Sequence, residues 1–123
     1  MNKRICFLGA GNMGEAIIKG LSGYFMPKDI AFRESNTQRV DYIKKTYKIR
    51  ALHHYAEINS YGMLLIALKP QVIPAAIKDL IGGIDSKVLI ISIAAGISIP
   101  YYQKHFPKNK ICRVMPNTPA LLG

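Results

Sequence analysis

Short apolar runs alternate with helix-patterned stretches along the whole chain. Arg4–Leu8 is a compact apolar run stopped by glycine, the pattern of a strand buried on both faces. Asn12–Leu21 follows with Met13, Ala16, Ile17, Gly20 and Leu21 at helical spacing, and Gly23 stands where a helix stops. Ile30–Phe32 predicts a second strand. Ser35 or Asn36 can cap a helix over Thr37–Lys48, whose Val40, Ile43 and Tyr47 share one face opposite Arg39, Lys44 and Lys45. Ile49–Leu52 predicts a short third strand and Met63–Leu68 a fourth. Pro70 opens a helix carrying Val72, Ile73, Ile77, Leu80 and Ile81, with Pro74 tolerated in its first turn and Gly82-Gly83 closing it. Val88–Ile93 predicts a fifth strand, Ser98 caps a short helix through Gln103, and Ile111–Val114 predicts a sixth strand.

Six strands separated by crossovers predict an α/β domain with an open, mostly parallel six-stranded sheet and helices on both faces. The chain's 123 residues suffice for one core, so residues 1–123 are read as a single domain. Half the residues are hydrophobic (50%) and 20% are charged, a globular balance. The longest apolar runs fall far short of the ~20 residues of a membrane helix. Met1-Asn2-Lys3-Arg4-Ile5 lacks the apolar stretch of ~7–15 residues that a secretory signal needs, so the expected location is the cytoplasm.

Cys6 and Cys112 both fall in predicted strands and are expected to be reduced core thiols. With no ligand spacing around them or around His53, His54 and His105, no metal site is expected. Seventeen Lys and Arg against seven Asp and Glu give a net charge of +10. That balance either attracts phosphorylated ligands or only solubilises the surface. The basic residues are densest between Lys28 and Arg50, with no basic tail and no aromatic-interleaved stripe. Neither a nucleic-acid nor a membrane partner is expected.

Gly9-Ala10-Gly11-Asn12-Met13-Gly14 is a G-x-G-x-x-G that leaves a predicted strand and opens a predicted helix. In that context Gly9 permits the tight turn, Gly11 lets the backbone approach a pyrophosphate, and Gly14 lets helix and strand pack closely. The helix start offers free N–H groups and the positive end of a dipole. A dinucleotide cofactor and a Rossmann-type sheet are the expectation. Two cofactors stay open. Glu34 lies twenty positions after Gly14, the spacing of an acid that holds the ribose 2′-hydroxyl of NADH. Arg33, Ser35, Asn36, Thr37 and Arg39 surround it and can instead cradle the 2′-phosphate of NADPH.

Four segments in order carry a resemblance. They are Phe7–Ile17, Ala67-Leu68-Lys69-Pro70, Ser92-Ile93-Ala94-Ala95-Gly96-Ile97, and Arg113-Val114-Met115-Pro116-Asn117-Thr118-Pro119-Ala120. Together they resemble the N-terminal, cofactor-binding domain of pyrroline-5-carboxylate reductase, the last being the most specific. The resemblance implies NADPH-dependent hydride transfer to a small-molecule cyclic imine, giving L-proline. It places Asn12 and Met13 with the glycines at the pyrophosphate, and Ala67, Lys69 and Pro70 on the ribose side. Ala94, Ala95 and Gly96 would line the nicotinamide, and Met115, Pro116, Asn117 and Thr118 the substrate side. It further implies a helical C-terminal domain for dimerisation and substrate binding, which has no counterpart in residues 1–123. The expected consequences are poor activity of this chain alone and homo-oligomer formation through its C-terminal segment, around Ile111–Leu122.

No side chain is assigned a catalytic role. His53 and His54 read as loop residues, and Tyr101, Tyr102 and His105 as surface packing. The alternatives are another NADP-dependent oxidoreductase on the same cofactor domain, such as a deazaflavin-dependent NADP reductase, and a non-catalytic nucleotide- or partner-binding module.

Overall fold

The computed structural model describes residues 2–115. Six strands, β1 (Ile5–Leu8), β2 (Ile30–Arg33), β3 (Arg50–Ala51), β4 (Met63–Ile66), β5 (Leu89–Ser92) and β6 (Ile111–Arg113), form one sheet in the order 3-2-1-4-5-6. Every pairing is parallel, with Ile5 opposite both Ile30 and Met63, and Met63 opposite Leu89. Four helices cross between the strands: α1 (Asn12–Leu21), α2 (Thr37–Tyr47), α3 (Ile73–Leu80) and α4 (Ile99–His105). The strand order reverses between β1 and β4, the switch point at which open α/β sheets leave a crevice for ligands.

Alternation along the strands divides the core into two layers. Ile5 and Phe7 of β1 pack with Ile18 of α1 and Ile43 of α2. Cys6 and Leu8 face the other way, onto Ile73 and Ile77 of α3 and Tyr102 of α4. A strand clothed on both faces has no polar side, which is why β1 and β4 read as unbroken apolar runs. Burial pushes the Cys6 thiol up to about 12, with a smaller contribution from Glu57.

The differences from the sequence reading are local. Lys48 takes a left-handed conformation (φ 58°) and ends α2 one residue early. Pro70 does not begin an α-helix. Pro74 lies four residues on, lacks the N–H that would bond the Pro70 carbonyl, and its ring would strike that carbonyl. Pro70–Val72 therefore form a 3₁₀ turn, and α3 starts at Ile73. A second 3₁₀ turn, Tyr55–Ser60, was not anticipated. Glu57 accepts the His53 and His54 backbone N–H groups and pairs with Arg50, while Ile58 plugs the core. Those two amide bonds lead in holding the Glu57 carboxyl below its ordinary value.

Tyr102 is not surface packing. It is fully buried, and its hydroxyl meets Ser92 Oγ at 2.6 Å. Cys112 is exposed rather than a core thiol, because β6 is an edge strand only three residues long.

Candidate functional site

The carboxyl ends of β1, β2, β4 and β5 meet along one edge of the sheet. Gly9 leaves β1 at φ +97°, where a side chain would be strained, and a Cβ there would stand 2.6 Å from the Ala67 carbonyl oxygen. A Cβ on Gly14 would stand 2.7 Å from the Gly9 carbonyl oxygen. These two glycines are required by packing between the loop, α1 and the turn after β4. Gly11 differs: a Cβ there would meet nothing within 4 Å. It caps α1 with no side-chain hydrogen bond, so the first-turn N–H groups face an open approach. A bare backbone and an uncapped helix start fit a pyrophosphate.

The loop is fixed through the two consecutive peptide units on either side of Ala10. Glu34 Oε1 accepts the Ala10 N–H at 3.0 Å, and its Oε2 accepts the Asn36 N–H at 2.8 Å. From the other side Arg39 donates to the Ala10 carbonyl through Nε (3.1 Å) and Nη2 (2.8 Å). The same Nη2 reaches Glu15 Oε1 at 2.9 Å, and the Tyr42 and Tyr47 hydroxyls donate to Glu15 Oε2 at 2.8 and 2.7 Å. Partial burial alone would raise the Glu15 pKa, but the two hydroxyls and the guanidinium outweigh it and hold the carboxyl below its ordinary value. Tyr47 moves the opposite way, its phenol pushed up by burial and then by Glu15.

Arg39 was expected on the outer face of α2 or at a 2′-phosphate. It instead turns inward and clamps the glycine loop to α1 and α2. Asn36 is used as the cap of α2, its Oδ1 accepting the Arg39 N–H at 3.1 Å. Arg33 stays at the cleft wall. Its Nη1 donates to the Leu52 and His53 carbonyls at 3.3 and 2.9 Å, and its guanidinium lies 4.3 Å above the Tyr55 ring. Its remaining N–H groups have no protein acceptor among the described residues.

Arg33 and Glu34 form a wall between two cavities. One, of about 250 Å³, runs from Leu8 and Gly9 past Ser35 and Tyr55 to Leu68, Val72 and Ala76. The other, of about 260 Å³, is enclosed by Thr37, Val40, Ala51, Leu52 and His53. His53 and His54 are exposed loop residues, as read from the sequence.

Of the other expected positions, Asn12 is exposed at the start of α1, and Met13 is half-buried against the α1–α2 layer of the core. Ala67 is half-buried, with its N–H bonded to the Leu8 carbonyl at 2.8 Å. Lys69 and Pro70 are exposed on the turn after it. Ala94 is buried, while Ala95 and Gly96 are exposed in a turn where Gly96 takes φ +77°. Ser92 Oγ accepts the Ala94 N–H at 3.3 Å and so ties this turn to Tyr102. Met115 is exposed beyond β6; Pro116, Asn117 and Thr118 lie outside the described residues. Among the described residues no group of three metal-ligating side chains occurs, and no helix is long and apolar enough to cross a membrane.

Sequence reasoning missed the clamp made by Glu15, Arg39, Tyr42 and Tyr47. Its signal was weak: a lone acid in the first turn of one helix and three donors in the next.

Comparison with known proteins agrees with this fold. Residues 4–96 match the family described as NADP oxidoreductase, coenzyme F420-dependent. Over the whole chain, it is 40% identical to a pyrroline-5-carboxylate reductase of Synechocystis, of which it covers 47%. The fold matches a pyrroline-5-carboxylate reductase of Coxiella burnetii with a TM-score of 0.85 and 26% identity, over 99% of this chain and 47% of that one. It also matches a Plasmodium falciparum pyrroline carboxylate reductase with NADP bound, with a TM-score of 0.81 and 25% identity, over 98% of this chain and 45% of that one. The chain thus spans about half the length of the relatives it matches.

Proposed function

Because the chain belongs to the family of coenzyme F420-dependent NADP oxidoreductases, we propose that it is the nicotinamide-binding half of a pyrroline-5-carboxylate reductase. The observation that carries the reading is the glycine loop: open space over Gly11, a crowded Gly9 and Gly14, and a helix start with no side-chain cap just past the carboxyl end of β1. The relatives narrow the reaction. They carry the name pyrroline-5-carboxylate reductase over the entire chain, including the segment after β6 that lies beyond the family match.

Gly11, Asn12 and Met13 would hold the pyrophosphate, with Gly9 and Gly14 shaping the loop beneath it. The cavity bounded by Arg33, Glu34, Ser35, Tyr55 and Leu68 would take the adenosine ribose, beside the turn Ala67–Pro70. We assign NADPH as the cofactor. Arg33 presents unused N–H groups at the wall, and both Glu34 oxygens are already engaged by backbone donors. The remaining charge on Glu34 leaves NADH as a competing ligand. Ala94, Ala95 and Gly96 would lie against the nicotinamide, where side chains of one methyl or none admit a flat ring. Met115, Pro116, Asn117 and Thr118 would face the imine.

The bound cofactor would supply a hydride to the imine carbon. What this chain contributes is position and exclusion of water. Residues of a C-terminal half would complete the substrate site and the dimer, in a cytoplasmic enzyme.

A chimera of this chain with the C-terminal half of the Synechocystis relative tests the reading, once NADPH binding shows it is folded. Oxidation of NADPH should require pyrroline-5-carboxylate. A chimera that binds NADPH, ignores this substrate and reduces another would overturn the assignment.

A further inference from the structure

The largest cavity described, about 650 Å³, is at the opposite edge of the sheet from the glycine loop. It opens at the amino ends of β1, β4, β5 and β6, where the parallel register brings Ile5, Met63 and Leu89 level. Its floor is apolar: Tyr61 and Val88 are 2% exposed, and Met63 and Leu89 are half-buried. Its rim carries Lys3, Lys87, Lys108 and Lys110, none of them within an ion pair among the described residues.

The lone acid on the rim, Asp85, is occupied. Its Oδ1 accepts the Lys87 N–H at 2.9 Å. Two asparagines brace the loop that carries it. Asn59 accepts the Asp85 N–H and donates to the Gly83 carbonyl, both at 2.8 Å. Asn109 donates to the Asp85 and Val88 carbonyls, both at 2.9 Å. The backbone of this loop is therefore held in place before any ligand binds.

We propose that this cavity is a second binding site, for small-molecule anions with an apolar body the size of an aromatic ring system. Its volume lies within the ~300–1,000 Å³ of small-molecule pockets. The floor would bury the body, and the four lysines lining the cavity would attract the anion. Parallel sheets bind their cofactors at the carboxyl ends of the strands, so a ligand here leaves the nucleotide cleft free. The site does not depend on the cofactor assignment above.

The test uses 8-anilinonaphthalene-1-sulfonate, followed by its fluorescence, on the whole chain and on a Lys87→Glu, Lys108→Glu double variant. The expected result is saturable binding to one site, weakened about tenfold or more in the double variant, and weakened by added salt in the parent only. Saturating NADPH should not displace the probe. Absence of saturable binding, equal affinity in the double variant, or complete displacement by NADPH would each overturn the proposal. If the double variant loses its thermal transition, amide chemical shifts of the parent chain decide. Probe-induced shifts should cluster at Asn59–Met63 and Asp85–Leu89, and shifts confined to the glycine loop would contradict the site.

Discussion

Glu34 and Ala10 are joined by a 3.0 Å hydrogen bond from the loop amide to the carboxylate at the end of β2. The bond gives the acid a task besides choosing a ribose. With its second oxygen on the Asn36 N–H, one side chain fastens the glycine loop to the start of α2. Arg39 holds the carbonyl of the same alanine, so the two peptide units flanking the Ala10 Cα are both fixed before any ligand arrives. A loop held in this way would lose little entropy on binding a ligand.

Glu34→Gln removes the charge and keeps one acceptor for the loop amide. A 2′-phosphate would no longer face a carboxylate. The ratio of NADPH to NADH affinity should rise about tenfold, equivalent to ~1.4 kcal/mol. Calorimetric titration of both nucleotides measures it, and an unchanged ratio would show that Glu34 lies outside the ribose site.

Gly11 and Gly14 separate binding from folding. Gly14→Ala forces a methyl against the Gly9 carbonyl and should cost ~1–3 kcal/mol of stability. Gly11→Ala meets open space and should cost under ~1 kcal/mol, the difference between glycine and alanine at a helix cap. Its methyl would stand in the pyrophosphate approach and weaken nucleotide binding at least about tenfold. Denaturation curves and titrations on the two variants check both halves.

The Glu15 cluster predicts an acid limb. A carboxyl held below its ordinary value stabilises the fold fully above the unfolded pKa, near 4.5, and loses that contribution as pH falls through its lower folded value. The denaturation midpoint of the parent should therefore drop more steeply below pH 4.5 than that of Glu15→Gln. Parallel curves for the two proteins would show that the cluster carries no linked stability.

Tyr102→Phe leaves the buried Ser92 hydroxyl without its 2.6 Å partner. The expected loss is about 1–2 kcal/mol. Because Ser92 also holds the Ala94 amide, backbone exchange at Ala94–Gly96 should quicken in this variant. Unchanged exchange would mean that the turn is held by backbone geometry alone.

The sheet was legible because parallel strands buried on both faces appear as uninterrupted apolar runs, as in Met63–Ile66. The glycine loop was legible because Gly9 and Gly14 answer to steric demands at a fixed spacing between a strand and a helix. The inward turn of Arg39 was not: it lies one helical turn before Ile43, on the same face, but a long cationic side chain there reads as solvated until the Ala10 carbonyl and Glu15 supply its acceptors. Tyr102 was missed for a related reason. A tyrosine in a short polar helix looks like surface until a buried serine on a distant strand supplies its partner. The lysine-ringed cavity escaped notice because its residues come from four separate stretches, each unremarkable alone.

On the reading proposed above, this chain folds into a working nicotinamide-dinucleotide cleft. Isothermal titration of the 123-residue chain with NADPH, then NADH, tests it most directly. The expected result is saturable binding of one nucleotide per chain with about micromolar affinity, tighter for NADPH and weakened at least about tenfold in Gly11→Ala. A folded chain that gives no binding heat with either nucleotide, and no shift of its thermal midpoint, would contradict it.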